Sequence, residues 1–107
     1  MTKLMARQGD VLIVQVDKLP TETKDIPRDN RGRVVLAEGE VTGHAHAIHD
    51  KRVRFMADAR GSGQYLDVKE RASVVHEEHG AINLPKGFYE IRRQREFDAG
   101  EIRRVAD

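Results

Sequence analysis

The chain has 107 residues, no cysteine, 35% charged residues and a formal net charge of +1. This length predicts a single domain over residues 1–107 that can bury a core without cross-links. The absence of cysteine excludes disulfides and thiolate ligands. No apolar run reaches the ~20 residues of a membrane helix, so we expect no membrane partner. Positive and negative residues are interspersed along the chain, so we expect no nucleic acid partner. A chain without cysteine suits the cytoplasm, which is the expected location.

Strand patterns follow one another along the chain. The first, at residues 10–17, is a compact apolar run rich in β-branched residues, and both of its faces are expected to be at least half buried. Further strands are predicted, in chain order, at 32–39, 43–49, 52–57, 63–69, 72–77, 81–84 and 87–97. Residues 101–106 predict a last edge strand or a single helical turn.

The connections between these segments contain proline and glycine. Residues 19–32, with two prolines and one glycine, predict a long loop, and residues 84–87, LPKG, predict a tight turn. We find no convincing helical period over ten or more residues. About seven to nine short strands at roughly ten-residue spacing predict an all-β fold, a small antiparallel β-barrel or sandwich.

All five histidines lie in two clusters, GHAHAIH and VVHEEH. His44 and His46 are two residues apart, which on a strand places both imidazoles on one face, roughly 6–7 Å apart. Ala72, Val74 and His76 share a face in the same way, and a turn or bulge after His76 would bring His79 to the same side. The sequence therefore predicts a metal site of His44, His46, His76 and His79, suited to zinc, iron, nickel or copper.

Other polar residues near the clusters have simpler interpretations. His49 falls on the opposite strand face from His44 and His46 and is expected to be exposed. Glu77 and Glu78 could orient an imidazole or act as a general base, but in so charged a chain surface charge is the plainer interpretation. No nucleophile has a recognisable histidine and carboxylate context, and no glycine-rich phosphate loop follows a strand.

Two segments resemble the motifs of the cupin family. Gly39-x4-His44-x-His46-x3-Asp50 resembles the first motif, and Gly80-x4-Pro85-x-Gly87-x2-Glu90-x3-Gln94 resembles the second. The resemblance implies a small cupin-like barrel, commonly dimeric, whose metal ion would be held by His44, His46, Asp50 and Glu90. Glu90 stands where the family has a histidine, so the sequence leaves open which residues complete the site.

Three functions are compatible with these patterns. The first is a small metal-binding barrel with a histidine-lined site. If a coordination position of the metal ion stays open, the protein would act as a metal-dependent enzyme on a small molecule, and the 19–32 loop would cover the mouth of the barrel. The alternative is a non-enzymatic module that binds another protein, without metal, through an edge strand near 101–106. A third is a metal-free binder of a sugar or other small molecule.

Overall fold

A computed structural model describes residues 3–39 and 41–93, and none of these residues forms a helix. It therefore contains, within the described ranges, no helix long and apolar enough to cross a membrane. The all-β prediction is confirmed. In the described part of the chain there are eight strands: β1 Met5–Gln8, β2 Val11–Val16, β3 Thr23–Asp25, β4 Val34–Glu38, β5 Ala45–Ile48, β6 Arg54–Asp58, β7 Gln64–Val75 and β8 Ile82–Arg93.

The strands form one antiparallel sheet in the order β1-β2-β8-β7-β5-β4, with β6 pairing to both β3 and β7. The two long strands β7 and β8, of 12 residues each, form its spine. The first half of β7 pairs with β6 and its last residues pair with β5, on the same edge. The sheet therefore curls into a half-barrel.

The concave side of the curled sheet holds the core. In β2, Val11 and Ile13 are fully buried, while the alternate residues Leu12, Val14 and Val16 are half-buried. The prediction that both faces of this strand are at least half-buried is thus confirmed. The largest fully buried apolar side chains are Tyr89, Ile13, Leu36, Ile48, Met56, Leu66 and Leu84.

The predicted turn at residues 84–87 is wrong, because these residues lie inside β8. Pro85 has no N–H to donate, and it pairs opposite Arg71, beside the register shift between Val68 and Arg71, where such a residue is tolerated. The Tyr89 hydroxyl donates to the Pro85 carbonyl oxygen at 2.6 Å, which ties the strand to itself. The segments predicted as separate strands at 81–84 and 87–97 are therefore one strand as far as the structure describes them.

Three further predictions differ from the structure or fall outside it. Residues 63–69 and 72–77 join in β7, because exposed residues 69–71 continue the strand beside β8. The predicted loop at 19–32 contains the short strand β3, paired with β6. Strand β1 was not predicted, and residues 101–106 lie outside the described residues.

Candidate functional site

The register of two neighbouring strands brings the two histidine clusters together. In the pairing of β5 with β7, Ala47 lies opposite Val75 and Ile48 opposite Val74. One step beyond these pairs, His46 faces His76 across the end of the sheet. Their ring centroids are 4.3 Å apart. The same-face argument made from the strand period therefore holds in three dimensions.

The other two predicted histidines join this pair. The ring centroid of His44 lies 5.8 Å from that of His76, edge-on. A bend at residues 77–79 turns the chain after β7, as expected, and places the His79 centroid 4.7 Å from His76 and 6.0 Å from His46. The structure thus gathers His44, His46, His76 and His79 into one imidazole cluster.

The imidazole cluster lines a cleft of about 270 Å³. Neither arginine nor lysine contributes to its described lining, which consists of Gly9, Asp10, Gly39, Val41, His44, His46, His76, Glu78 and His79. Carboxylates and imidazoles together, without a cationic side chain, create a negative potential that attracts cations.

Two glycines let the backbone approach the imidazoles closely. A Cβ at Gly9 would lie 2.9 Å from Nε2 of His79 and 3.2 Å from Cε1 of His46. A Cβ at Gly39 would lie 2.9 Å from Nε2 of His76 and 2.9 Å from Cβ of His44. Any larger residue at either position would push into the cluster.

His46 is the most buried member of the cluster, with 2% of its surface exposed, and it is held by Gln8, which is equally buried. Nδ1 of His46 lies 2.8 Å from the Gln8 Oε1 oxygen. The Gln8 amide nitrogen donates to the carbonyl oxygens of Val74 at 3.0 Å and Gly80 at 2.9 Å. On the other side of the ring, Nε2 of His46 lies 3.6 Å from the Asp10 Oδ1 oxygen.

Two glutamates contact residues of the imidazole cluster or their neighbours. Glu77 accepts a hydrogen bond from the Ala45 backbone N–H at 3.0 Å, and this bond is the main reason that the pKa of its carboxyl is lowered. The Glu78 backbone N–H donates to Nδ1 of His76 at 3.0 Å. The Glu78 carboxylate lies 3.2 Å from Nδ1 of His44.

Nδ1 of His44 is a buried polar atom that forms no hydrogen bond with a described residue, and its nearest carboxylate is that of Glu78, 3.2 Å away. His44, His76 and Glu77 each offer one donor atom, and these three atoms all lie within 4.8 Å of one another. Tetrahedral zinc ligands at 2.0–2.1 Å from the ion are roughly 3.4 Å apart, so a small inward movement would let such a set converge. His44 thus combines a buried nitrogen that forms no hydrogen bond with membership of a group of three donor residues, an arrangement that a cation could complete.

The alternative ligands Asp50 and Glu90 do not line this cleft. The Asp50 carboxylate accepts from the Arg52 backbone N–H at 2.7 Å, which holds the pKa of this carboxyl below its usual range. Glu90 accepts from the Arg92 guanidinium at 2.9 Å. His49 is exposed, as predicted from its strand face. The structure brings the rings of the four histidines together and places Asp50 and Glu90 outside their cleft.

The predicted role of residues 19–32 as a cover is wrong, because none of them lines the cleft. Their strand β3 is paired with β6, and the Arg28 guanidinium donates to the carbonyl oxygens of Asp50 and Val53 at 2.9 and 2.7 Å. These bonds hold the segment against another part of the barrel.

The β1–β2 hairpin contributes residues to the cleft that were not predicted from the sequence. Gln8 pairs with Val11 across a two-residue turn of Gly9 and Asp10, and Gly9 has a φ of 60°, as the first central residue of a type II′ turn requires. This turn delivers Gln8, Gly9 and Asp10 to the imidazoles. The dipeptide Gly-Asp directly before an apolar run was a signal for it.

Comparison with known proteins gives a family and no activity. A family described as Domain of unknown function (DUF8820) matches residues 7–94, which include every residue named in the cleft, and the chain belongs to that family. No curated protein and no solved structure matches the chain.

Proposed function

We propose that this member of the DUF8820 family is a metal-binding barrel that holds one divalent transition metal ion in its histidine cleft. The observation that carries the proposal is the convergence of His44, His46, His76 and His79, with ring centroids of neighbouring pairs 4.3–6.0 Å apart. Imidazole nitrogens suit zinc, copper, iron and nickel, and the absence of cysteine leaves imidazole and carboxylate as the available strong ligands.

The charges around the cleft support a cation rather than an anion. Asp10 and Glu78 line it, Glu77 lies beside it, and the lowered pKa of Glu77 keeps that carboxyl ionised at neutral pH. Three carboxylates close to the imidazole cluster give this region a negative potential, which a divalent cation would lower. The backbone also leaves room for the imidazoles, because Gly9 and Gly39 have no side chains.

The cleft has space for more than the ion. The cleft volume of about 270 Å³ is several times the ~30 Å³ that one molecule occupies in liquid water. If three of the four histidines bind the ion, a coordination position stays open to water or a small molecule, and the ion would act there as a Lewis acid; if all four bind, the site is closed. We therefore propose a reactive centre for a small-molecule substrate, in a cytoplasmic setting that suits a chain without cysteine.

Metal titration of untagged protein after chelator treatment tests this proposal. We expect about one equivalent of zinc to bind to the wild type, and His46→Ala to abolish tight binding. His49→Ala is the matched control, because His49 is an exposed histidine in the same segment and is expected to leave binding unchanged. Equal binding by the two variants, or none by the wild type, would contradict the proposal.

Cobalt substitution tests the open position separately. A cobalt ion with an exchangeable ligand changes its visible absorption spectrum when azide is added. We expect such a change in the wild-type protein. A cobalt spectrum that azide leaves unchanged would indicate a closed, structural site.

A further inference from the structure

We propose that Gln8 is a positioning residue that holds His46 as its Nδ1–H tautomer and so makes Nε2 the nitrogen that faces the cleft. The role of Nε2 as a metal ligand rests on the proposed function. The tautomer itself does not, and can be measured on metal-free protein.

The orientation of the Gln8 side-chain amide follows from its donors. Its nitrogen carries two hydrogens, and two backbone carbonyl oxygens, those of Val74 and Gly80, lie at hydrogen-bond distance from it. Rotating the amide by half a turn would set its oxygen against both carbonyl oxygens. With 2% of Gln8 exposed, water could not compensate for that repulsion. The amide oxygen must therefore point at His46.

The tautomer of His46 follows from the orientation of Gln8. An amide oxygen only accepts, so Nδ1 of His46, 2.8 Å away, must be the donor. In a neutral imidazole, the proton on Nδ1 leaves the lone pair on Nε2. Nε2 in turn lies 3.6 Å from the Asp10 carboxylate, close to the separation of about 3.4 Å expected for two ligands of one tetrahedral ion.

Gln8 also joins parts of the fold that are far apart along the sheet. Strand β1 is at one end of the strand order and is separated from β5 by β2, β8 and β7. Gln8 nevertheless bonds to His46, at the start of β5, and to Val74, near the end of β7. One side chain therefore links β1 to β5 and β7, so the contact between these strands and the orientation of His46 depend on the same residue.

Nitrogen NMR of the histidine side chains tests the proposal, in a buffer alkaline enough that ordinary imidazoles are neutral. The His46 signals are identified by their loss in His46→Ala. We expect Nδ1 of His46 to be protonated and Nε2 to be unprotonated in the metal-free wild type. A proton on Nε2 instead would overturn the proposal, whatever metal the protein binds.

Three variants separate positioning from simple structural support. Gln8→Leu removes the acceptor, and we expect a changed tautomer and a 10–100-fold loss of zinc affinity. Gln8→Glu loses both donated bonds but still accepts from Nδ1, so it should be less stable and yet keep the tautomer. Gln15→Leu is the matched control. The Gln15 side chain also holds the backbone, because it accepts a hydrogen bond from the Leu4 N–H, but among the described residues it forms no hydrogen bond with an imidazole.

The outcomes are distinct. An unchanged tautomer in Gln8→Leu, or an equal loss of zinc affinity in Gln15→Leu, would overturn the proposal. If Gln8→Leu does not fold, the wild-type tautomer and Gln8→Glu decide the question. A protonated Nδ1 in a wild type that binds no metal would support the role of Gln8 and contradict the proposed function.

Discussion

Replacing Gly9 by alanine perturbs the imidazole cluster through a single added methyl group. Gly9 has a φ of 60°, and its added Cβ would lie 2.9 Å from Nε2 of His79 and 3.2 Å from Cε1 of His46. His79 is exposed and can turn away, whereas His46 is buried and held by Gln8. We therefore expect the methyl group to displace His79 from the cluster.

Gly32→Ala separates this contact from the cost of the backbone conformation. Gly32 has a φ of 78°, and nothing lies within 4 Å of its added Cβ. Left-handed backbone costs alanine roughly 1–2 kcal/mol, and the lower entropy of the unfolded chain returns about 0.4–1 kcal/mol. We expect Gly32→Ala to lose about 1 kcal/mol of unfolding free energy. Gly9→Ala should lose about 2 kcal/mol, because crowding adds an amount at the low end of the usual 1–3 kcal/mol.

Urea denaturation with chelator and with excess zinc measures both effects. Each tenfold loss of zinc affinity removes about 1.4 kcal/mol of the stabilisation that saturating zinc provides. We expect saturating zinc to stabilise Gly32→Ala as much as it stabilises the wild type. It should stabilise Gly9→Ala by at least about 1.4 kcal/mol less. Equal stability of the two variants in chelator, together with equal gains in zinc, would refute this reasoning.

Three further substitutions test other parts of the structure. Gly39→Ala would place a methyl group 2.9 Å from Nε2 of His76 and 3.1 Å from the His44 carbonyl oxygen, and should cost roughly 1–3 kcal/mol in urea denaturation and weaken zinc binding. Tyr89→Phe removes the hydroxyl that donates to the Pro85 carbonyl, and should cost about 1 kcal/mol by the same assay, with no change in zinc stoichiometry. Glu77→Gln removes a carboxylate whose pKa is lowered mainly by the hydrogen bond from the Ala45 N–H. The ionised carboxylate stabilises the fold above the ordinary glutamate pKa of about 4.3, and this stabilisation is lost as the pH falls through the lower pKa of the folded state. The melting temperature of this variant should be below that of the wild type at neutral pH, and the two should converge in acid; a constant difference across pH would contradict this cause.

The imidazole cluster was predictable because its main determinant is local. The two-residue period of a strand places His44 and His46 on one face, and it does the same for Val74 and His76. The two faces meet because β5 pairs with β7, although these segments are about 30 residues apart along the chain. In the sequence, only the matching face patterns of the two segments indicated this pairing. His79 needed the bend at 77–79, which the sequence indicated only through its spacing.

The supporting residues were not predictable in the same way. Strand β1 is four residues long, with one buried residue, and that residue is the polar Gln8, so neither hydrophobic alternation nor length identified it. Its partners Val74 and Gly80 are 66 and 72 residues away along the chain. The continuity of β8 through Pro85 also depends on a long-range contact. The local sequence favours a turn at Pro85, but the pairing of β8 with β7, beside a register shift, keeps these residues in a strand.

X-ray absorption spectroscopy of the zinc-loaded, untagged protein would show whether imidazoles bind the metal ion. It measures the ligand distances and detects the outer-shell scattering that imidazole rings produce. We expect at least three nitrogen or oxygen ligands at about 2.0–2.1 Å, with imidazole scattering that falls in His46→Ala and is unchanged in His49→Ala. A spectrum of hydrated zinc without imidazole scattering in the wild type would contradict this expectation.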